Sequence, residues 1–463
     1  MAAGKGKRLK SRTPKVLHPI CGRPVLWHVL QAVRAVRPET VALVVGHQGD
    51  EVEQAVRSWD LALPVRYIDQ GEPLGTGHAV MVAERAVGRA DEILVLPGDE
   101  PLVTPEQLRE LLRVHRRRGV AAVVQTTDAA DPTRFGRVIR DGDELLRITE
   151  GVEATSEERR IMEVATSIYA FRRDDLFKAL PLVSRENDQR EYYLHHVLPI
   201  LREKGERIAL DLVDNDGAVG ANSRLEMARA TAVMRRRINE DLMEHGVTLV
   251  NPNATYIDAG VRIGGDTVIH PNTSLVGETR IGRGCVIGPS ARVVDSRIED
   301  GAEVRESVVT GARVGRDASV GPYAHIRPGT VLGPRTKAGS FVEIKASRIG
   351  EGSKVPHLSY VGDAVIGKNV NVGAGTVTVN YDGYRKHRTV IGDDVRIGSD
   401  TMLVAPVRVG KGAVTGAGST ITTDVPAGAL AVERGDQRVV RGYRARKDAQ
   451  IRGGKDERRK GKR

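Results

Sequence analysis

The chain has 463 residues, of which 40% are hydrophobic, 28% charged and only 3% aromatic. This length allows two or three domains, and the composition is that of an ordinary folded protein rather than a disordered or fibrous one. No stretch approaches the ~18 consecutive apolar residues of a membrane span. The basic N-terminus also lacks the apolar core of a signal peptide, so we expect a cytoplasmic location and no membrane partner.

The formal net charge is +11, but its distribution argues against a nucleic-acid partner. Residues 441–463 hold eleven Lys and Arg residues against Asp448, Asp456 and Glu457, and only Tyr443 is aromatic. We interpret this segment as a disordered basic tail, because stacking side chains are missing among its charges. The two cysteines, Cys21 and Cys285, have no metal-type spacing, and we expect free thiols.

Residues 1 to about 220 alternate strand and helix patterns. Val41–Val45 and Ile93–Leu96 are short apolar runs that end at turn residues, as buried parallel strands do. An amphipathic helix should follow Pro24, and Thr104-Pro105-Glu106-Gln107 has the pattern of a helix start with a capping box. The alternation predicts a doubly wound α/β domain.

A helix should then run from Asn222 to about His245, with Gly246 ending it. We interpret it as a linker between two domains. Asn222 could serve only as the N-cap of this helix, or it could also bind a ligand at the domain junction.

A six-residue repeat dominates the rest of the chain. Its period slips near Glu299–Arg313, and short side chains or Gly often follow the aliphatic position. Such hexapeptides predict a parallel β-helix, since each unit forms one short strand and a corner and stacked coils bury a continuous core. The repeating aliphatic positions are Ile257, Ile263, Ile269, Leu275, Ile281, Ile287, Val293, Val314, Val320, Ile326, Leu332, Ile391, Ile397, Leu403 and Val409.

Two segments of the N-terminal half suggest phosphate chemistry. Ala2-Ala3-Gly4-Lys5-Gly6-Lys7-Arg8, followed by Pro14-Lys15, combines a Gly-rich turn with cations that could lie over a triphosphate. Asp99 follows an apolar strand at Pro97-Gly98-Asp99, where a carboxylate can hold Mg²⁺. The Gly pattern alone is weak, and Asp99 could merely cap the next turn.

The hexapeptide repeat is interrupted twice by reactive residues. The first break contains Arg327, Lys345 and the segment His357–Asp363, and the second contains Gly373–Thr376 and Asn380–Lys386. A purely structural coil would not need His, Tyr, Lys and Arg at its breaks. An imidazole can accept a proton near neutral pH, while Arg and Lys together suit a sugar phosphate.

Over almost its whole length the chain resembles the family of bifunctional N-acetylglucosamine-1-phosphate uridyltransferases and glucosamine-1-phosphate N-acetyltransferases. The resemblance rests on the motifs above and on Leu74–Ala79, Phe135-Gly136-Arg137 and Gly220-Ala221-Asn222. It implies a Rossmann-like nucleotidyltransferase domain (1–219), a linker helix (220–247), a left-handed β-helix acetyltransferase domain (248–440) and the tail (441–463). It also implies a homotrimer assembled through the β-helix.

The resemblance implies that the N-terminal domain transfers UMP from UTP to N-acetylglucosamine-1-phosphate and needs Mg²⁺. Arg8 and Lys15 would be catalytic, Asp99 and Asn222 would ligate the metal, and Gly136 and Glu150 would contact the sugar. The full set implied for nucleotide and sugar binding is Ala2, Ala3, Gly4, Lys15, Gln70, Gly75, Thr76, Gly98, Asp99, Gly136, Glu150, Ala165 and Asn222.

For the C-terminal domain the resemblance implies acetyl transfer from acetyl-CoA to glucosamine-1-phosphate, with His357 as general base. Arg327 and Lys345 would grip the phosphate, and Tyr360 and Asn371 would hold the sugar. The residues implied for acetyl-CoA binding are Ala374, Asn380, Tyr381, Lys386, Ser399, Ala417 and Arg434.

The sequence departs from the family pattern at several positions. No apolar strand precedes the Gly-rich segment, so we expect either a truncated chain or a mis-set start at Met1. Ala165 stands where relatives usually have a sugar-binding Asn, and His196 stands where an acidic residue is common. These departures keep an alternative open in which only the acetyltransferase is active.

Two further alternatives remain at this stage. The β-helix could serve only to assemble a nucleotidyltransferase, although the set of His357, Arg327 and Lys345 argues against this. The chain could instead be a basic scaffold that binds polyanions through its tail.

Overall fold

The computed structural model describes the chain except residues 5, 130–131, 143, 151–152, 188, 214–219 and 461–463, and it omits the side chains of residues 7, 134 and 452–460. Two compact units divide between Asp295 and Ser296, inside the predicted β-helix domain. The predicted domain boundaries therefore stay predictions. No helix within the described ranges has the length and apolar character that a membrane crossing requires.

The first unit begins with an α/β domain in which strands and helices alternate, as predicted. Its strands are β1 (Pro19–Ile20), β2 (Arg23–Pro24), β3 (Val41–Val45), β4 (Val65–Asp69), β5 (Glu92–Val95), β6 (Ala122–Asp128), β7 (Arg137–Asp141), β8 (Glu144–Thr149), β9 (Glu163–Arg172) and β10 (Ile208–Leu212). Its helices are α1 (Val25–Arg34), α2 (Gly49–Ser58), α3 (Thr76–Val87), α4 (Pro105–Arg118), α5 (Arg173–Ala179) and α6 (Val197–Glu203).

The sheet of this domain is mixed and divided. Strands follow the order β10-β6-β9-β7-β8, with β5 also on β9, while β3 and β4 pair only with each other in the described structure. Strand β9 runs antiparallel to β5 and β6, so the sheet is not purely parallel. The Ala2 amide donates to the Val44 carbonyl at 2.7 Å, and the Gly98 amide donates to the Met1 carbonyl at 2.7 Å. The first residues therefore lie between the ends of β3 and β5.

Two helix starts show how closely the sequence determines local structure. Thr104 caps α4 with the predicted capping box, since its hydroxyl accepts from the Gln107 amide at 3.2 Å and the Gln107 side chain accepts in return at 2.9 Å. Pro24 is the N-cap of α1, so the helix follows it as expected. The α1 residues Leu26, Val29, Leu30 and Val33 are buried, as their spacing predicts.

The helix that we interpreted as a linker, α7, spans Arg224–Glu244 and corrects one expectation. Ser223, not Asn222, is its N-cap, because the Ser223 hydroxyl accepts from the Glu226 amide at 3.2 Å. The Asn222 amide instead donates to the Glu226 carboxylate at 3.0 Å, which leaves the Asn222 side chain available for other contacts. Gly246 follows the helix with a φ of +86°, as a glycine after a C-cap should.

The first unit ends with the first coils of a parallel β-helix. Ile263 pairs with Ile281 and Ile269 with Ile287, so equivalent residues of successive hexapeptide triplets stack on one another. Ile269, Leu275 and Ile287 are fully buried in the prism. Its strands are Thr248–Leu249, Thr255–Ile257, Arg262–Ile263, Val268–Ile269, Thr273–Val276, Arg280–Ile281, Val286–Ile287 and Arg292–Val294.

The second unit contains further coils with three parallel faces. The first face has strands Glu303–Val304, Ser319–Val320, Lys337–Ser340, Lys354–His357, Asn371–Val372, Arg396–Ile397, Val414–Thr415 and Leu430–Ala431. The second has Val308–Thr310, His325–Ile326, Glu343–Lys345, Tyr360–Gly362, Val377–Val379, Met402–Val404 and Thr420–Ile421. The third has Arg297–Ile298, Arg313–Val314, Val331–Leu332, Arg348–Ile349, Ala364–Ile366, Thr389–Ile391 and Val407–Val409.

The irregularities of the repeat correspond to changes in coil length. Where the period slips, Arg297 pairs with Arg313, so this coil is shorter than its neighbours. At the second break, Ala364 pairs with Thr389, and the additional residues leave the coil as an exposed loop around Tyr381–Lys386. Corners can therefore absorb insertions and deletions while the buried aliphatic positions stay in register.

The basic tail differs from our expectation of disorder. Residues Tyr443–Lys460 form helix α8, which includes an Arg444–Asp448 ion pair at 3.2 Å. Its Ala, Arg, Lys and Gln residues are good helix formers, and pairs four residues apart add to helix stability. The described side chains near its start, including Tyr443, are exposed.

Candidate active sites

One cluster in the first unit joins residues from three distant segments. The Lys15 ammonium forms an ion pair with the Asp99 carboxylate and donates to the Asn222 side-chain oxygen at 2.6 Å. The side chains of Lys15 and Asp99 are 12% and 21% exposed. The three predicted residues therefore meet at a partly shielded position that ligands can still reach.

The backbone holds this cluster together. Asp99 follows β5, and its carbonyl accepts the Ala221 amide at 2.8 Å, which fastens the strand end to the start of α7. A Cβ on Gly220 would lie 2.6 Å from the Asn222 side-chain nitrogen, so a larger residue there would displace the Asn222 side chain. Lys15 reaches the same point from a short 3₁₀ helix, Lys15–Leu17.

The donor set suits a hard divalent cation. Asp99 and Asn222 direct side-chain oxygens at one positive charge, and oxygen is the ligand atom that Mg²⁺ prefers. Among the described residues no group of three or more His, Cys, Asp or Glu side chains could hold a metal. Phosphate and water would therefore have to complete the coordination.

The sequence reading missed Glu100 beside this cluster. Burial, followed by the charge of Asp99, raises the pKa of Glu100 well above its usual range. A second carboxylate directly after Asp99 was visible in the sequence and could have signalled this neighbour.

Gln70, Gly75 and Thr76, three of the residues implied for nucleotide and sugar binding, also come together. The Gln70 side-chain amide donates to the Gly75 carbonyl at 3.0 Å, and the Thr76 hydroxyl accepts the Leu194 amide at 3.0 Å. Gly75 has a φ of +109°, and a Cβ there would lie 2.6 Å from the Tyr192 carbonyl oxygen. Only glycine fits this close approach of two chain segments.

The predicted sugar-binding residues form a second group. The Ala165 amide donates to the Gly136 carbonyl at 3.0 Å, and a Cβ on Gly136 would lie 3.9 Å from the Glu150 carboxylate. Burial, and then the charge of Glu153, raises the pKa of Glu150. His195, which the sequence reading missed, lies 3.8 Å from Glu150, and burial followed by the charge of His196 lowers the pKa of His195 to about 3.

Only part of the Gly-rich segment is accessible to a ligand. Ala2 and Ala3 are buried, while a Cβ on Gly4 would meet no atom within 4 Å, so a ligand can approach there. A Cβ on Gly98 would lie 2.8 Å from the Met1 carbonyl. Arg8 is exposed on the 3₁₀ helix Lys7–Leu9, and in the described chain it forms no hydrogen bond or ion pair with Lys15, Asp99 or Asn222. The catalytic role of Arg8 stays a prediction.

In the second unit, three predicted residues lie in or directly after strands of successive coils on the second face of the β-helix. Lys345 pairs with Gly362, and Tyr360 pairs with Val377 one coil later. Asn380 follows directly, and its amide nitrogen lies 3.5 Å from the Tyr360 hydroxyl. Consecutive coils thus place Lys345, which is predicted to contact the phosphate, near Tyr360, which is predicted to contact the sugar.

Positive charge is concentrated beside this stack. Arg327 pairs with Glu343 at 2.6 Å, and Lys345 pairs with Asp363 at 3.2 Å. Lys386 from the exposed loop adjoins them, since hydrogen bonding and repulsion from Lys345 lower the pKa of Lys386. The site therefore holds three cations against two carboxylates, which suits a dianionic phosphate.

His357 ends the strand Lys354–His357 and is exposed. Its carbonyl accepts the Ser359 hydroxyl at 2.7 Å, and Leu358 follows with a φ of +46°. The imidazole has no hydrogen-bond partner among the described residues, so it is available to a substrate. Asn371 is also exposed and begins the neighbouring strand.

The remaining residues predicted for acetyl-CoA follow one edge of successive coils. The Ala374 carbonyl accepts the Asp400 amide at 2.6 Å, the Ser399 carbonyl accepts the Gly418 amide at 2.8 Å, and the Arg434 guanidinium donates to the Ala417 carbonyl at 3.0 Å. Tyr381 is 57% exposed on the loop. A long ligand could lie along this edge.

Segments in both halves of the chain match known protein families. Residues 1–196 match the MobA-like NTP transferase domain, residues 260–295 match the bacterial transferase hexapeptide (six repeats), and residues 311–409 match the GMPPB C-terminal domain. The bifunctional protein GlmU of Thermoanaerobacter pseudethanolicus is 46% identical over 438 residues, which cover 94% of this chain and 95% of that protein.

Two further relatives agree. The bifunctional protein GlmU of Desulfitobacterium hafniense is 45% identical, with 96% of this chain and 97% of that protein covered. The Streptomyces coelicolor protein of the same name is 46% identical, with 96% and 93% covered. The chain belongs to the GlmU family.

Membership of the GlmU family confirms the predicted fold class, a nucleotidyltransferase domain combined with a hexapeptide β-helix. It also confirms a bifunctional transferase with uridyltransferase and acetyltransferase activities. The similarity spans both halves, and nothing favours the acetyltransferase-only alternative.

Proposed function

We propose that this enzyme carries out two successive steps of UDP-N-acetylglucosamine synthesis in the cytoplasm, and thereby supplies a precursor for cell-wall and lipopolysaccharide formation. The C-terminal site acetylates glucosamine-1-phosphate with acetyl-CoA. The N-terminal site then transfers UMP from UTP to the product. The observation that carries this proposal is the presence of two separate clusters of charge, Lys15–Asp99–Asn222 and Arg327–Lys345–Lys386, on one chain.

In the acetyl step, the sugar amine attacks the thioester carbonyl carbon and the bond from that carbon to sulfur breaks. His357 accepts the proton that the amine loses and returns it to the departing sulfur, so coenzyme A leaves as a thiol. Arg327 and Lys345 hold the sugar phosphate, and Tyr360 and Asn371 hold the ring. The edge at Ala374, Ser399, Ala417 and Arg434, with Asn380, Tyr381 and Lys386 on the loop, would bind acetyl-CoA.

In the uridyl step, a phosphate oxygen of N-acetylglucosamine-1-phosphate attacks the α-phosphorus of UTP, and pyrophosphate leaves. Gln70, Gly75 and Thr76 would bind uracil, and Gly136, Glu150 and Ala165 would line the sugar side. Lys15 neutralises charge that develops on the phosphates. Asp99 and Asn222 would hold Mg²⁺, and the bound ion supplies further positive charge there.

We also propose that three chains assemble through the β-helix. An exposed apolar ridge supports a contact between chains, since Tyr323, Phe341 and Leu358 are 61%, 60% and 64% exposed on successive coils. The rings of Tyr323 and Phe341 stack with centroids 5.3 Å apart. Exposed apolar clusters of this kind commonly mark protein contacts.

A crossed pair of variants tests the two-site proposal. His357→Ala should abolish coenzyme A release from acetyl-CoA and glucosamine-1-phosphate, yet leave pyrophosphate release from UTP and N-acetylglucosamine-1-phosphate unchanged. Asp99→Ala should do the reverse. If either variant loses both activities while remaining folded, or keeps the activity it should lose, the assignment of two independent sites is wrong.

A further inference from the structure

We propose that Asp363 is a positioning residue that links the sugar-phosphate side of the acetyltransferase site to its acetyl-CoA side. The inference rests on the roles proposed above for Lys345 and Asn380. It adds a residue to which neither the sequence motifs nor the family resemblance gave a role.

A single oxygen atom makes the link. Asp363 Oδ2 accepts from the Lys345 ammonium at 3.2 Å and from the Asn380 side-chain amide at 2.5 Å. The same Asn380 nitrogen lies 3.5 Å from the Tyr360 hydroxyl. One carboxylate therefore fixes Lys345, the proposed phosphate-binding cation, and Asn380, which directly precedes the exposed loop, relative to each other.

The backbone holds this carboxylate firmly. Asp363 adopts a left-handed conformation with a φ of +50°, and its amide donates to the Lys345 carbonyl at 3.1 Å. The preceding Gly362 donates its amide to the Thr378 hydroxyl at 2.7 Å. A non-glycine residue in this conformation is uncommon, although Asp tolerates it better than most. The side chain is 23% exposed, so it is partly shielded from water.

The charge balance explains why a carboxylate is needed there. Lys345 and Lys386 adjoin each other, and Arg327 also acts on Lys386. Asp363 is in contact with Lys345 and attracts Lys386, whereas Glu343 pairs with Arg327. Without Asp363 the two ammonium groups would repel each other with no shared counter-charge. Lys345 would then leave its place, and Asn380 would lose its strongest acceptor.

The chain contains a matched control. Asp394 is also left-handed, with a φ of +61°, and its carboxylate accepts from Asn369 at 3.3 Å and lies 3.9 Å from the Lys411 ammonium. It therefore has the same backbone conformation and the same types of partner as Asp363, but none of its partners has a proposed substrate role.

The experiment compares Asp363→Ala, Asp363→Asn, Asp394→Ala and Lys345→Ala in the full-length enzyme, with KM measured for glucosamine-1-phosphate and for acetyl-CoA. Asp363→Ala should raise both KM values about tenfold or more. Asp363→Asn keeps an oxygen acceptor for Asn380. Its KM for acetyl-CoA should therefore equal that of wild type, while its KM for glucosamine-1-phosphate should stay raised. Asp394→Ala should change neither value by more than about twofold, and uridyl transfer should be normal throughout.

Two outcomes would overturn the proposal: KM values of Asp363→Ala within twofold of wild type, or an equal effect of Asp394→Ala. If Asp363→Ala does not fold, Asp363→Asn decides alone, because a KM for glucosamine-1-phosphate that is unchanged in it contradicts the charge role. Lys345→Ala separates this proposal from the proposed function. If Lys345→Ala leaves KM for glucosamine-1-phosphate unchanged, the role assigned to Lys345 fails, whatever Asp363 does.

Discussion

Lys15 and Asn222 are 207 residues apart in the chain, yet the Lys15 ammonium donates a 2.6 Å hydrogen bond to the Asn222 side-chain oxygen. The same ammonium forms an ion pair with Asp99. It therefore contacts the two side-chain oxygen atoms that we propose as Mg²⁺ ligands, so the ammonium and a bound Mg²⁺ would compete for them.

Removing this ammonium should separate metal binding from catalysis. Lys15→Met should lower kcat/KM for uridyl transfer by about 100-fold or more, because a charge that stabilises the transition state is lost. It should also bind Mg²⁺ more tightly in the absence of nucleotide, as measured by titration calorimetry. Lys10→Met is the control and should change neither quantity. Weaker Mg²⁺ binding by Lys15→Met would show that the ammonium does not compete for these oxygens.

Ala165 offers a gain-of-function prediction. Its amide donates to the Gly136 carbonyl in the predicted sugar pocket, and the family resemblance implies an Asn at this position. Ala165→Asn adds an amide that can hydrogen-bond the sugar, and one such bond contributes about 1 kcal/mol. We expect KM for N-acetylglucosamine-1-phosphate to fall about threefold to tenfold in steady-state assays, with KM for UTP unchanged. An unchanged or higher sugar KM would remove Ala165 from the pocket.

His195 should make the stability of the N-terminal domain depend on pH. Burial lowers its pKa in the folded protein to about 3, below the ordinary 6.5, so the unfolded chain binds the additional proton between these values. Stability therefore falls as pH decreases through this window, by up to about 1.4 kcal/mol per pH unit from this group. His195→Phe should lack this contribution.

The two tryptophans provide the measurement. Trp27 and Trp59 both lie in the N-terminal domain, so their fluorescence during denaturant unfolding reports that domain. The stability difference between wild type and His195→Phe should shift in favour of the variant as pH is lowered from 6.5 to 4. A difference that is constant with pH would contradict the buried neutral imidazole.

Gly362 should be essential for acetyl transfer alone. A Cβ there would lie 2.4 Å from the Tyr360 hydroxyl and 2.7 Å from the Asn380 side-chain nitrogen, so Gly362→Ala must displace both side chains. We expect coenzyme A release to fall at least tenfold while pyrophosphate release is retained. Gly412→Ala is the control, because a Cβ on Gly412 meets no atom within 4 Å and only its φ of +68° is strained. Equal losses in the two variants would indicate general damage to the β-helix.

The sequence determines the β-helix most completely. A six-residue period has few structural solutions, and residues such as Ile287, Val320 and Leu403 are buried as the repeat requires. The capping box at Thr104 was equally predictable, since it depends only on local hydrogen bonds. Features that depend on local hydrogen bonds or on a strict repeat were therefore predicted correctly.

Features that depend on tertiary structure were harder to predict from the sequence. Asn222 was expected to open α7, but Ser223 caps it, and Asn222 contacts Lys15 instead. The roles of His195 near Glu150 and of Asp363 between Lys345 and Asn380 arise only when distant segments or successive coils are stacked. Helix α8 is the opposite case, because its local sequence favours a helix. Our prediction of disorder gave more weight to the net charge of this segment than to its helix-forming residues, and it was wrong.

The loop around Tyr381–Lys386 leaves and rejoins the coil while Ala364 and Thr389 still pair across it. A loop of different length or composition at this corner would not change the packing of the buried interior. The part of the donor site that this loop carries can therefore diversify independently of the architecture that presents it, whereas Lys345 and Tyr360 on the acceptor side are built into the rungs themselves.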